Sequence, residues 1–247
     1  MSRPKRLASI QPYFFPYIGY FQLIAACDEL VLLDDVQYVT RRWINRNRIL
    51  ANGAPSWITW PVRHASRELA INQRRYVRDF GATRRILDRL TAAYRRAPHC
   101  SPAMALVSDG LGLAEDNVAR VNARAIQLAA DRVGLATPIL LASEVCGARP
   151  SGQDGIIELC RQRGATTYLN PIGGRELYDP ARFAEAGLSL EFLQFETPAY
   201  PQFGGAFAPG LSIVDVLMFN APEAVRLMTR RGWIVAGTDR PRLARDA

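Results

Sequence analysis

Residues 10–20 read Ile-Gln-Pro-Tyr-Phe-Phe-Pro-Tyr-Ile-Gly-Tyr, and few stretches restrict a backbone as much. Five of the eleven residues are aromatic and two are proline. Proline fixes φ and removes a hydrogen-bond donor, so the bend is stiff. Pro16 stands just ahead of a first helical turn, where its missing N–H costs nothing. Gly19 permits close approach of another backbone or a ligand. An apolar run at residues 7–10 leads in, and an amphipathic run at residues 19–26 leads out. The pattern is strand, rigid turn, helix. A second apolar run, residues 29–33, ends in Asp34-Asp35-Val36-Gln37. So short a strand-helix-strand unit suits a right-handed crossover between parallel strands. In open α/β sheets, ligands bind beyond the carboxyl ends of the strands. The aromatic turn and the acidic tetrapeptide are both expected at that edge.

The chain beyond continues the alternation. Residues 36–52 read as a long loop or a β excursion, Asn52-Gly53 as a turn and residues 57–62 as a strand, with another short strand at 69–72. Helical periodicity then runs through Ile86, Leu87, Leu90 and Tyr94, followed by helices over about 103–113 and 116–133. The last hundred residues return to strand and helix. Strands are expected at 138–142, 166–169 and 188–193. Helices are expected after Ser151, at Asp179-Pro180, after Ser212 and, finally, from Pro222. The expected fold is a single α/β domain over residues 1–237. Its sheet is mostly parallel and Rossmann-like, in the nucleotidylyltransferase-like manner, with a helical insertion at about 76–133. Residues 238–247 are expected to be a disordered tail.

Composition narrows the possibilities. No apolar run reaches the roughly 18 residues of a membrane span, and the basic start is not followed by a secretory signal, so a cytoplasmic protein is expected. Cys27, Cys100, Cys146 and Cys160 lie far apart, which excludes a CxxC zinc or redox pair. His64 and His99 cannot by themselves build a histidine-rich metal site. The net charge is +8. Between Arg41 and Arg96 stand fourteen arginines against Glu68, Asp79 and Asp88. That asymmetry suits an anionic partner such as a nucleotide-linked substrate or an acidic carrier protein. No nucleic-acid reader motif is present.

Several side chains can carry chemistry. Asp34 and Asp35 face opposite ways if they end a strand, so one can enter a site while the other caps a helix or meets an arginine. Either can hold an amine or act as a base. Gln37 shares a face with Asp35 and can bind a carbonyl. Trp43, Asn45, Arg46 and Asn47 place an aromatic ring, two amides and a guanidinium together, and Arg46 can grip a phosphate or carboxylate. Asn170, Gly173 and Gly174 follow a strand, where exposed backbone N–H groups can cradle an anion. His64 is the better acid/base candidate of the two histidines. Ser212 and Asp215 read as a capping-box variant that can also close the site floor. Gln11, Tyr13, Tyr17, Gly19 and Tyr20 come from the turn itself. One cleft at the sheet's rim is expected to hold Tyr20, Asp34 and Arg46 together.

These motifs also carry a likeness. The pieces starting at Gln11, Asp34, Trp43, Tyr168 and Gly210 span nearly the whole chain, and with them it resembles the WbqC-like family. Members of that family lie among bacterial genes for surface polysaccharides and secondary metabolites. Separately, Pro16-Tyr17-Ile18-Gly19-Tyr20 has the frame of the Pro-His-x-Gly-His turn of nucleotidylyltransferase-like enzymes, with tyrosine at both histidine positions. That substitution removes the groups that hold ATP phosphates. The resemblance implies transfer of an activated acyl or glycyl group to an amine, the donor a thioester on an acidic carrier protein. The acceptor would be a nucleotide-linked amino sugar or a secondary-metabolite amine. No cofactor is expected beyond a phosphopantetheine arm presented by the carrier. Alternatives are ATP-dependent nucleotidyl transfer and a non-catalytic binding module of glycan assembly.

Overall fold

The computed structural model describes residues 4–112 and 114–239. Its strands are β1 (Arg6–Ile10), β2 (Glu29–Leu32), β3 (Arg46–Ala51), β4 (Ala54–Thr59), β5 (Ile139–Leu141), β6 (Thr167–Pro171), β7 (Ser189–Gln194) and β8 (Trp233–Ala236). The helices up to the insertion's end are α1 (Ile18–Ala26), α2 (Phe80–Tyr94), α3 (Cys100–Gly112) and α4 (Val118–Arg132). Then come α5 (Ala142–Val145), α6 (Gly152–Gln162), α7 (Pro180–Glu185), α8 (Ile213–Phe219) and α9 (Pro222–Met228).

The main sheet has the order β5-β2-β1-β6-β7-β8. All neighbours pair in parallel except β8, which runs antiparallel to β7. Numbered along the chain, its strands stand 3-2-1-4-5-6, the Rossmann order. Alternation along each strand divides the core into two layers. Leu7, Val31 and Tyr168 point to the side of α6 and α7. Ala8, Leu30, Leu32 and Leu169 point to the side of α1, α4 and α8.

The first helix departs from expectation. Residues Ile18 through Ile24 of α1 are all buried, so the helix is apolar all round. Its one buried amide, Gln22, is fully used. Nε2 donates to the carbonyls of Glu196 (2.7 Å) and Met228 (3.0 Å), and Oε1 accepts from Glu196 N–H (3.2 Å). Gln22 therefore ties α1 to segments near the other end of the chain.

Between β2 and β5 the chain adds the β3–β4 hairpin and helices α2, α3 and α4. The hairpin turns at Asn52-Gly53, both at positive φ (53° and 75°), as this pair favours. Its second strand is Ala54–Thr59, earlier than the 57–62 expected. Residues 69–72 form no strand; a 3-10 turn, Ile71–Gln73, stands there, with Gln73 Oε1 accepting from Ala70 N–H at 3.0 Å. The expectation that α9 is the last element is also corrected. Strand β8 follows, an antiparallel edge of only four residues whose side chains are mostly exposed, so its sequence lacks a buried-strand pattern. Leu113 and residues 240–247, which include most of the expected tail, lie outside the described residues. Among the described residues, no helix is long and apolar enough to cross a membrane.

Candidate functional site at the sheet's switch point

A cavity of about 510 Å³ opens beyond the carboxyl ends of β1 and β6. Strand β1 has β2 on one side and β6 on the other. The helix after β1 packs in one layer, and the helix before β6 packs in the opposite one. This divergence leaves a crevice, the usual ligand position in a Rossmann-type sheet. Gln11, Tyr13, Pro16 and Tyr17 of the aromatic turn form one wall. Trp43, Asn47 and Arg48 form a second, and Asn170, Pro171 and Gly174 a third. Ser9, Ile10, Leu33, Leu177, Tyr178 and Gly210 complete the lining.

The turn divides its aromatics between core and cavity. Phe14 and Phe15 are buried in the core, while Tyr13 and Tyr17 reach the lining. Phe15 has φ of 40°, a left-handed value uncommon for a bulky residue. Distant side chains hold it there. Asn47 Nδ2 donates to the carbonyls of Phe14 (3.0 Å) and Phe15 (2.8 Å). Ser212 Oγ donates to the Phe15 carbonyl at 2.7 Å. Asn122 Nδ2 donates to the Pro12 carbonyl at 3.0 Å, and Tyr20 Oη donates to that of Gln11 at 3.1 Å. The Phe14 N–H donates to Trp43 O, and Pro16 O accepts from Ile213 N–H. The stiffness supplied by proline is thus completed by side chains from β3, α4, α8 and α1.

Among the described residues, the lining contains amides, phenols and one guanidinium, and no carboxylate, imidazole or thiol. Burial raises the pKa of Tyr13, outweighing the opposing charge of Arg42; burial and the neighbouring Tyr13 raise that of Tyr17. Tyr178 is raised as well, again by burial first. All three phenols therefore stay protonated at neutral pH and can donate. The Tyr13 and Tyr17 hydroxyls have no hydrogen-bond partner among the described residues, whereas Tyr178 Oη meets Tyr168 Oη at 3.3 Å. Arg48 Nη2 donates to Gly210 O at 3.3 Å, its guanidinium lies 5.6 Å from the Trp43 ring centroid, and its Nε is buried without a partner. With no carboxylate paired to it among the described residues, Arg48 gives the cavity a positive pole.

Asn170 is held from both ends of its amide. Oδ1 accepts from Tyr168 Oη at 3.2 Å, and Nδ2 donates to Pro171 O at 3.1 Å. A Cβ at position 174 would stand 2.2 Å from Asn170 Nδ2, so only glycine lets the amide lie there. Gly19 has an equivalent reason. A Cβ there would fall 2.4 Å from the Tyr17 ring and 3.0 Å from Phe195. The ring thus lies over the first turn of α1, where dinucleotide-binding folds receive phosphate.

Seven residues singled out from the sequence meet in the cavity: Gln11, Tyr13, Tyr17, Trp43, Asn47, Asn170 and Gly174. The expected grouping of Tyr20, Asp34 and Arg46 does not form; none of the three lines it. Tyr20 is buried behind the turn. Asp34 is buried with its oxygens accepting from Ser143 N–H (2.9 Å) and Oγ (2.6 Å), so it caps α5. Arg46 stacks on Trp57, 4.2 Å from the ring centroid, and donates to Arg41 O. Arg48, two residues on, takes the place in the cavity. Asn45 donates to Trp60 O at 2.9 Å and Gly173 stands clear of the lining. His64 is exposed on a loop outside every cavity described here. Ser212 caps α8 through Val214 N–H (3.2 Å) and holds the turn. Asp215 forms no capping box; it is buried, accepting from Tyr94 (2.5 Å), Tyr200 (2.5 Å) and Gln202 (3.1 Å). Burial raises its pKa, opposed by those donors.

A second cavity, of about 660 Å³, adjoins the first and shares Leu33, Leu177 and Tyr178 with it. Asp35 and Gln37 line this one. Asp35 pairs with Arg149 at 2.6 Å, and Gln37 Nε2 donates to Arg67 O at 3.0 Å. Both acids lie past the end of β2, in irregular backbone and not on a strand as expected, and they still separate, one to a helix cap and one to a cavity wall. Sequence reasoning missed Asn122 as a clamp, although it interrupts the apolar stripe of Val118, Val121 and Ala125 on α4. It also passed over Tyr178, which lines both cavities.

Comparison with known proteins agrees with the motifs. The uncharacterized protein Rv1507c of Mycobacterium tuberculosis is 30% identical over 233 residues, covering 90% of this chain and 98% of that protein. No solved structure matches. A family model described as the WbqC-like protein family matches residues 11–227, a span that takes in the aromatic turn and almost the whole cavity wall, and the chain belongs to that family.

Proposed function

We propose that the switch-point cavity is the active site of an amide-forming acyl or aminoacyl transferase. The acyl or glycyl group arrives as a thioester on the phosphopantetheine arm of an acidic carrier protein and passes to a primary amine. The observation that carries this reading is the lining: donors, aromatic rings and one guanidinium, with no group of carboxylate, imidazole or thiol type among the described residues. Such a wall suits a reaction whose substrates bring their own nucleophile and leaving group. The amine nitrogen attacks the thioester carbonyl, a C–N bond forms, the C–S bond breaks, and the thiol leaves with the proton that the amine sheds. Holding the two reactants together supplies much of the rate. The unpartnered Tyr13 and Tyr17 hydroxyls are suited to donate to the carbonyl oxygen as charge develops on it. Arg48 is suited to hold an anionic part of a substrate.

Nucleotidyl transfer fits less well, because the Tyr17 ring covers the first turn of α1 where phosphates would be received. A binding-only role in glycan assembly is the second reading, favoured by the same lack of a group that titrates near neutral pH. The two are separated by incubating the protein with aminoacyl thioesters and amino-sugar acceptors and looking for amide by mass spectrometry. Amide formed faster than in the protein-free control supports transfer. Ligand binding without amide across the panel overturns it in favour of the binding role.

A further inference from the structure

The second cavity sits beyond the carboxyl ends of β2 and β5, beside the first. Its wall combines three features. Asp35 follows β2, where Rossmann-type sheets place an acid that accepts from ribose hydroxyls. Arg149 has a side chain only 8% exposed; one Nη meets Asp35 at 2.6 Å, and its Nε has no partner. The amino end of α6 opens here, with Ser151 making no side-chain cap. First-turn N–H groups of a helix favour an anion. Asp154, the acid in that turn, is paired with Arg182 at 3.1 Å, which offsets its charge. Leu177, 71% exposed, stands at the ridge common to both cavities, an apolar side chain that a ligand crossing the ridge would cover.

We infer that this second cavity binds a pentose phosphate moiety of the kind a nucleotide carries, the hydroxyls on Asp35 and the phosphate at the α6 amino end beside Arg149. The rest of such a ligand would extend over Leu177 into the switch-point cavity. The inference rests on the transferase reading only in making this ligand the second substrate.

The test is titration of the full chain with ribose 5-phosphate, UMP, AMP and inorganic phosphate, read by amide chemical shifts and by calorimetry. Ribose 5-phosphate and at least one nucleotide should bind and move the Gly152 and Gly155 amides. Asp35→Asn should weaken ribose 5-phosphate about tenfold relative to inorganic phosphate, the loss of a charge-assisted bond, while inorganic phosphate, freed of the neighbouring carboxylate, should bind at least as well as to the native chain. Arg149→Gln should weaken both. If that variant unfolds, the shifts of the unaltered protein still decide. No binding by any probe, or shifts confined to Gly174 and Gly210 of the first cavity, would overturn the inference. Amide formation with a free amino sugar, without nucleotide binding, would remove the inference and leave the transferase reading. Nucleotide binding without amide formation would do the reverse.

Discussion

Single residues fix the shape of the site through bonds that local sequence does not announce. Asn47 donates to two carbonyls of the turn while its Oδ1 accepts from Arg48 N–H at 2.8 Å. Asn47→Ala would leave buried acceptors unpaired around Phe15, whose φ of 40° needs that support. A loss of about 2–4 kcal/mol in denaturant unfolding is expected. A contrasting pair isolates the cavity from the fold. Gly174→Ala would push the Asn170 amide aside, whereas a Cβ at Gly173 meets nothing within 4 Å. Gly174→Ala should lower activity or ligand affinity clearly more than Gly173→Ala, by side-by-side assay of the two folded variants.

Among elements, α1 and β2 are fastened by buried polar groups whose loss can be read in stability. Gln22→Leu keeps the apolar character of α1 but strands the Glu196 and Met228 carbonyls, and should cost about 2–4 kcal/mol in chemical unfolding. Glu29 opens β2 and pairs with Arg163 (2.8 Å) and Lys5 (3.1 Å). Burial alone would raise its pKa, but the bonds from Arg163 and Lys5 together outweigh burial and leave it lowered. A lowered folded pKa contributes stability above the unfolded glutamate value of roughly 4.3, and that contribution is lost as pH falls through the folded value. Glu29→Gln should therefore be less stable than the native chain at pH 7 by about 1–3 kcal/mol, with the gap closing as the pH falls below about 4. Thermal unfolding across pH measures the convergence.

For the molecule as a whole, the Rossmann-like architecture and the edge where the cavity lies follow from short-range signals. Two prolines and the apolar runs on either side define strand, bend and helix, and Asp34-Asp35 marks the end of the next strand. The long-range partners do not follow. Asn122 is 110 residues from the carbonyl it holds, and Ser143 is 109 residues from Asp34. Arg46 and Arg48 share a strand face, so only the packing of β3 on Ser212 decides which one reaches the cavity. The absence of carboxylate and imidazole from that lining has a consequence for pH. Transfer should rise with pH as the acceptor's own ammonium gives up its proton to the free amine that attacks. The most direct measurement is the rate of amide formation from an aminoacyl thioester by the native chain, Arg48→Gln and His64→Gln, each confirmed folded. About a tenfold or greater loss for Arg48→Gln is expected, with His64→Gln close to native. Native rates for Arg48→Gln together with a collapse for His64→Gln would contradict the cavity as the place of reaction.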